Sequence, residues 1–535
     1  MTPRIATRPW GARLALLAVL GVVIALRLHV AGVPLERDEG EFAYMGQLIL
    51  RGETPYLAAA NMKLPGTYYA YAGILALFGE TAVAIRVGLL LVNLVAIALL
   101  YRLGTVLLDE ITGAAAAITY AVLSLDPSVL GFTAKGEHFV IPPLLGGLVL
   151  LVRTPVPRPS RTLVAAGLLL GLAVLMKQHA AVFLVFAVLW VVASAGVAGR
   201  SAARAALREG AVLAGAALAP FGATCLAMWA SGAFAPFWFW TVRYAREYAA
   251  LIPLAVGLGE LERQAARIAT ASAPLWILAG VGTSALAWDA PARRHASFLG
   301  GFALASLLAT VPGLRFSEHY FLLLLPAASL LAGVTVAALA RRAAAWAPAA
   351  GALVGGGLPL VAAAASLFPE PVALFRQPPA VVARTVFGAN PFPEAVEVAR
   401  YLEAHTSPDD RIAVIGSEPE IYFLARRQAA VSYMYVYPLM EPQPFARRMQ
   451  DEMIAQLERE RPRFLVLVNV PTSWSLQAES SHALLAWVER TVNTDYRLVG
   501  LVDIMPDGET VYRWDAAAAG ASPASSNHLA IFERG

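Results

Sequence analysis

The stretch "LALLAVLGVVIALRLHVAGVPLERDEGEFAYMGQLILRGETPY", residues 14–56, decides the fold. Its first part, residues 14–33, is an apolar run of the roughly 20 residues that a helix needs to cross hydrocarbon. Arg4, Arg8 and Arg13 precede that run, as in a signal peptide. The run continues past Arg27 to Val33 without a clear A-x-A site, which reads as an uncleaved first span. Arg27 and His29 then fall near its outer end, where long side chains snorkel to the interface. Directly afterwards, Glu36, Arg37, Asp38, Glu39 and Glu41 crowd charge at the mouth of the span. Two readings of the Asp38–Glu39 pair stand side by side. Carboxylates before a helix cap it, and ionisable groups at membrane depth are costly and functional by default.

Working outward, the chain of 535 residues is 58% hydrophobic and 15% charged, against about 25% charged in soluble domains. The deficit ends near residue 368, after which charge returns at ordinary density. Eleven apolar runs precede that point: 14–33, 82–101, 112–131, 139–152, 162–176, 180–197, 210–230, 271–288, 296–313, 319–340 and 347–368. A polytopic helical membrane protein with a soluble C-terminal domain follows. The formal net charge is only +4 and its basic residues sit in short loops, which speaks against nucleic-acid binding. Cys225 is the only cysteine, so neither an intramolecular disulfide nor a cysteine metal cluster is available. No Walker, dinucleotide or zinc-finger pattern occurs, and "GLLLGLAV" and "GALVGGGLP" are helix-packing patterns rather than phosphate loops.

Loop charge orients the chain. With a cytoplasmic N-terminus, the inner loops hold Arg4, Arg8, Arg13, Arg102, Arg153, Arg158, Arg161, Arg200, Arg204, Arg208, Arg293, Arg294, Arg341 and Arg342. The short outer loops hold little beyond Lys135, Lys177 and Arg315. This positive-inside bias supports both orientation and span count, and an odd count puts the C-terminal domain outside.

The polar candidates then converge on the outer face. In the long first outer loop, 34–80, "EFAYMGQLILRG" predicts a helix in the interface plane ended by Gly52 and Pro55, and "LPGTYYAYAGILALFG" predicts a second interfacial or re-entrant helix. In "AKGEHFVIPP", Glu137 either caps the next span, neutralised by Lys135, or faces Asp38 as a second acidic group able to hold a divalent metal or an acceptor hydroxyl. In "LMKQH", Lys177 is a polar turn or a phosphate contact. In "GLRFSEHYF", Arg315 is a headgroup anchor or a phosphate clamp, beside His319. "SGAFAPFWFWTVRYAREYAALIP" reads as an outer loop bearing an interfacial aromatic belt.

From Gln377 on, helical and strand patterns alternate, with strands expected in "RIAVIGS", "AAVSYMYVY", "RFLVLVN", "YRLVGLVDIM", "ETVYRWD" and "LAIFER". This is a small α/β domain, 377–535, with no glycine-rich phosphate loop and no catalytic role assigned; "AAAAGASPASSN" reads as a flexible insert.

Taken together, "RDEGEFAYMGQLILRGETPY", "NMKLPGTYY", "AKGEHFVIPP", "LMKQ" and "SEHYFLLLLPAASLLAG" resemble the GT-C membrane glycosyltransferases, and within them family 39, which includes protein O-mannosyltransferases and lipid A aminoarabinose transferases. The opening of the C-terminal domain, "VARYLEAHTSPDDRIAVIGSEPEIYFLARR", resembles the domains appended to bacterial members. The resemblance implies a GT-C-like catalytic domain over 1–370 of about 11 spans, a C-terminal extracytoplasmic α/β domain, and a home in the bacterial inner (plasma) membrane. It implies transfer of a sugar from a polyprenyl-phosphate donor to an acceptor hydroxyl on a lipid, glycan or protein, with inversion. By position, Asp38 matches the base, Glu39 its partner, Glu137 the acidic residue of the second outer loop, and Lys63 the basic residue that meets the donor phosphate. Lys135, His138, Lys177, Arg315 and His319 are further substrate-binding candidates. No cofactor is required by the sequence, and Mg²⁺ or Mn²⁺ is compatible with it. Two other classes are weighed beside the glycosyltransferase reading: a transporter or flippase of lipid-linked substrates, which predicts mid-membrane charges and two-fold internal repeats, neither of which the sequence displays, and a non-catalytic assembly protein of the envelope.

Overall fold

A computed structural model describes residues 10–195 and 200–535. Arg4, Arg8 and the side chain of Arg200, counted above among the inner-loop charges, lie outside the described residues, as do the last two positions of the 180–197 run. Each of the eleven apolar runs overlaps a helix: 10–29, 82–107, 110–123, 136–153, 160–176, 181–195, 200–230, 273–288, 296–308, 325–344 and 348–367; the helices under the runs 112–131 and 296–313 stop at 123 and 308. Seven helical segments among the described residues are long and apolar enough to cross a bilayer. An eighth results if Leu254–Ala271 and Ala273–Trp288, bent by 106°, form one broken span, and three apolar helices are shorter. The chain is therefore a multi-pass membrane protein. The helix at 254–271 is an addition: its Glu260, Glu262, Arg263 and Arg267 hid it from a search for apolar runs.

By backbone packing the chain divides into two compact units, one of residues 1–31, 86–227 and 252–376, the other of residues 32–85, 228–251 and 377–535. In the first, the 325–344 helix is the axis, with all but a few of its residues buried. Glycine lets its neighbours come close. A Cβ on Gly333 would lie 2.4 Å from the Thr112 carbonyl oxygen, and one on Gly282 would lie 2.0 Å from that of Leu331. Such small-residue contacts substitute in membranes for the hydrophobic drive that lipid removes. The arginines at one end of this bundle are not bare charges. Arg13 pairs with Glu110, Arg341 with Asp109 (2.6 Å) and Asp289 (2.7 Å), and Arg158 with Glu209 (3.1 Å). Arg27 does not snorkel to the interface. It is buried, and its guanidinium donates to the carbonyl oxygens of Ser124 and Gly131.

In the second unit, the segment 32–85 packs with the C-terminal segment. Its helix 37–50 starts with a reciprocal cap. The Glu36 carboxylate accepts from the amides of Glu39 (2.9 Å) and Asp38 (3.1 Å), and the Glu39 carboxylate accepts from the Glu36 amide (3.3 Å). It ends where Gly52 takes φ +84°. Every residue from Glu39 to Leu48 is buried, so this helix is no half-exposed interfacial element; residues of the C-terminal segment cover the side opposite helix 66–78. Gly40 is the point of closest approach, where a Cβ would lie 2.6 Å from the Glu420 amide nitrogen. Gly40→Ala is therefore expected to destabilise despite a better helix propensity, by about 1–2 kcal/mol net, read as a lower melting temperature in detergent.

The C-terminal sheet comprises β1 Arg411–Ile415, β2 Gln428–Ala429, β3 Phe464–Asn469, β4 Tyr496–Ile504, β5 Thr510–Trp514 and β6 Asn527–Arg534. Its order is β2-β1-β3-β6-β4-β5, parallel between β2, β1 and β3 and antiparallel beyond. Five expected strands form. Of the sixth, "AAVSYMYVY", only Ala429 lies in a strand, the two-residue β2, because its backbone finds other partners: the Ser432 carbonyl accepts from the Ala60 amide, and the Val436 amide donates to Ser417 Oγ. Nor is "AAAAGASPASSN" a free insert. The Asp503 carboxylate accepts from the amides of Ala524 and Ser525 and ties it to β4.

Candidate active site

Three carboxylates stand on the first turns of helix 37–50, and their environments separate them. Glu39 is fully buried and belongs to the cap just described. Glu41 is fully buried as well, and both of its carboxylate oxygens are engaged. Its Oε2 accepts from Lys63 Nζ (2.5 Å) and the Tyr435 hydroxyl (2.7 Å), and its Oε1 accepts from the Tyr68 hydroxyl (2.7 Å). Asp38 alone keeps an exposed face, with 21% of its side chain accessible, and its Oδ1 accepts from Lys63 Nζ at 2.7 Å. Lys63 thus bridges two carboxylates, while its ammonium lies 4.6 Å from the centre of the Phe42 ring.

The charge states follow from these neighbours. Burial pushes the Lys63 ammonium toward its neutral form, but Asp38 and Glu41 outweigh burial and raise its pKa, so it stays charged. Burial, then the field of Glu41, raise the Tyr435 and Tyr68 phenols well above the ordinary tyrosine value, and Tyr56, whose hydroxyl donates to the Lys63 carbonyl oxygen at 2.7 Å, is raised for the same reasons. These phenols are donors at any physiological pH. Next to Asp38, Arg37 is locked: Nη2 donates to Glu418 Oε1 (2.8 Å) and Nε donates to the Ser417 carbonyl oxygen (2.6 Å).

The first unit gathers a second set of candidates. Glu137, fully buried at the start of helix 136–153, is paired with Lys177, and His319 Nε2 lies 3.9 Å from the same oxygen. The Lys177 ammonium sits 4.5 Å from the centre of the Tyr320 ring, against which His179 and His319 pack edge-on. His319 and Arg341 lie near opposite ends of the helical segment 318–344, so this cluster and the Arg341 ion pairs are roughly 30 Å apart along the helix axis. Lys135, the cap residue of helix 136–153, is buried, and His138 is wholly enclosed in that helix. Arg315 is half-buried and flanked by Leu314 (φ +52°) and Phe316 (φ +42°). Two bulky residues in left-handed backbone are held there against an intrinsic cost of about 1–3 kcal/mol each.

Of the residues singled out from the sequence, the structure brings Asp38 together with Lys63, and Glu137 together with Lys177 and His319. The sequence reading missed Glu41 and Tyr435. Among the described residues no group of three or more His, Cys, Asp and Glu side chains is arranged to hold a metal ion.

Residues 62–229 match the family described as dolichyl-phosphate-mannose-protein mannosyltransferase. In fold the chain is similar to ArnT from Cupriavidus metallidurans bound to undecaprenyl phosphate, with a TM-score of 0.56 and 16% identity over 84% of this chain and 92% of that one. The apo form of that protein matches with a TM-score of 0.57 and 13% identity over 96% and 97% of the two chains. The oligosaccharyltransferase AglB from Archaeoglobus fulgidus, in complex with an inhibitory peptide and a dolichol-phosphate, matches with a TM-score of 0.52 and 12% identity over 95% of this chain and 75% of that one. No curated protein matches in sequence.

Proposed function

We propose that this chain, whose residues 62–229 match the mannosyltransferase family and whose fold is similar to that of ArnT, is a membrane glycosyltransferase of the family 39 kind that transfers a sugar from a polyprenyl phosphate to an acceptor hydroxyl, with inversion and with Asp38 as base. Asp38 takes the acceptor proton as the oxygen forms its bond to the anomeric carbon. The bond from that carbon to the phosphate oxygen breaks, and its electron pair leaves with the polyprenyl phosphate. Attack on the face opposite the leaving group inverts the centre. Lys63 meets the phosphate and stabilises the charge that grows there, and Lys177, Arg315 and His319 are further cationic or hydrogen-bonding candidates for the donor. The observation that carries this reading is the Asp38–Lys63 pair: the one partly exposed carboxylate of three, held 2.7 Å from an ammonium that burial has not discharged.

The same reading puts the first outer loop and 377–535 on the extracytoplasmic side of the bacterial inner membrane, with the N-terminus in the cytoplasm. The acceptor is a lipid, glycan or protein hydroxyl. The steps above use only the side chains of this protein, among them the Lys63 ammonium shared by Asp38 and Glu41, and Mg²⁺ or Mn²⁺ is left to the EDTA arm of the test. The test is incubation of the purified protein with undecaprenyl phosphate carrying mannose, glucose, galactose or an aminopentose, with and without EDTA. Release of undecaprenyl phosphate from at least one donor is expected; no release from any, in the presence of hydroxyl acceptors and either cation, refutes the reading.

A further inference from the structure

The C-terminal segment contributes an atom to the acidic cluster. Tyr435 lies in "SYMYVY", 397 residues from Asp38. Its hydroxyl has one proton and three acceptors in range: Glu41 Oε2 at 2.7 Å, the Arg37 carbonyl oxygen at 3.1 Å and Asp38 Oδ1 at 3.4 Å. The shortest and charge-assisted of these, to Glu41, takes the proton. Glu41 Oε2 is also the oxygen that holds Lys63 Nζ, at 2.5 Å, and Lys63 in turn holds Asp38. Phenol, carboxylate, ammonium and carboxylate thus form one chain of contacts. Tyr435 is kept in place by stacking on Tyr437, with centroids 4.9 Å apart, and the hydroxyl is the part of it that hydrogen-bonds the cluster, the Lys63 ammonium lying 5.6 Å from the ring centre.

We propose that Tyr435 is a positioning residue of the transfer reaction: by donating to Glu41 it sets how the Lys63 ammonium is shared between Glu41 and Asp38. This rests on the reading of Asp38 as base. The physical reason is competition for one cation. Glu41 Oε2 is satisfied by two donors, and its hold on Lys63 depends on the second. Without the phenol, that oxygen draws the ammonium toward itself and away from Asp38. Asp38 then loses part of the positive charge that favours its ionised form and binds a proton more tightly. The groups facing the phenol are Asp38, Glu41, Lys63, Tyr437 and the Arg37 backbone carbonyl. A tyrosine that only filled space would leave the proton affinity of Asp38 alone.

The test compares full-length wild-type protein, Tyr435→Phe and Tyr401→Phe on the undecaprenyl-phosphate sugar that the wild type turns over. Tyr401, whose hydroxyl donates to Asp515 Oδ1, is an exposed tyrosine contact of the same segment and serves as control. For Tyr435→Phe, kcat is expected to fall about ten- to hundredfold, with the donor KM within about threefold of wild type and the acid limb of the pH–rate profile displaced upward by about half to one pH unit. Tyr401→Phe is expected to match wild type. A Tyr435→Phe protein with wild-type kcat, or with lowered kcat and an unmoved acid limb, overturns the proposal while leaving the glycosyltransferase reading in place. Absence of turnover by the wild type on every donor overturns that reading itself. If Tyr435→Phe does not fold, 3-fluorotyrosine at 435 keeps the shape and strengthens the donor; the acid limb must then move downward, and an unmoved limb overturns the proposal.

Discussion

Asp38→Asn is expected to slow sugar transfer by about 10²–10⁴-fold while the protein melts near the wild-type temperature. The amide removes the proton acceptor but keeps the shape and one acceptor oxygen for Lys63. Lys63 retains Glu41 as counter-ion, so no buried charge is orphaned. The carboxylate is partly exposed, and its loss from the first helical turn costs less than about 1 kcal/mol. Glu39→Ala should behave in the opposite way. It removes the reciprocal cap of Glu36, lowers stability by about 1 kcal/mol, and leaves transfer nearly intact. The pair of variants decides between the two explanations of the Asp38–Glu39 dipeptide, because capping and chemistry fall on different members. Release of undecaprenyl phosphate and thermal unfolding, measured on the same preparations, are the checks. Transfer by Asp38→Asn at a tenth of the wild-type rate or more removes Asp38 as the base.

What could be read in advance follows from the range of the forces involved. Hydrophobic runs are local and dictated by the bilayer, and each of the eleven overlaps a helix among the described residues. The amphipathic helix 254–271 escaped because it carries charge at ordinary density. Lys63 was found through a motif, although no rule of spacing joins it to Asp38 25 residues away. Glu41 was within reach. Residues three apart share a helical face, and Asp38 and Glu41 would have been paired had the helix been started at Arg37 rather than at Glu41. Tyr435 was beyond reach. Its segment alternates like a strand, but the hydrogen bonds that the Ser432 carbonyl and the Val436 amide make elsewhere take it off the sheet edge, and only the tertiary fold brings its hydroxyl to Glu41. The partnership of Glu137 with Lys177, 40 residues on, is of the same kind.

Lys63→Met is expected to cause the largest loss of stability, about 2–4 kcal/mol. Removing one partner of a buried ion pair costs about 3–5 kcal/mol, because the other charge is left behind. Here the cost is moderated because Tyr68 and Tyr435 still donate to Glu41 and because Asp38 keeps an exposed face. The pH dependence separates this mechanism from simple loss of packing. In the wild type the pKa of Lys63 is raised, so its contribution is complete below the value of an unfolded lysine, about 10.4, and is lost only as pH rises through the higher folded value. Across pH 6–9 it adds no slope. In Lys63→Met the Asp38–Glu41 pair faces itself without a cation, and a proton taken up by the pair relieves the repulsion. The gap in melting temperature between variant and wild type should therefore narrow steadily as pH is lowered from 8 to 5. Adding Glu41→Gln to Lys63→Met removes the orphaned charge and should return at least half of the lost stability, a coupling that a double-mutant cycle measures directly. It should not return transfer, since the donor phosphate still lacks its cation. A double variant that recovers both would make Lys63 a structural counter-ion alone, and the phosphate contact would then have to be sought among Lys177, Arg315 and His319.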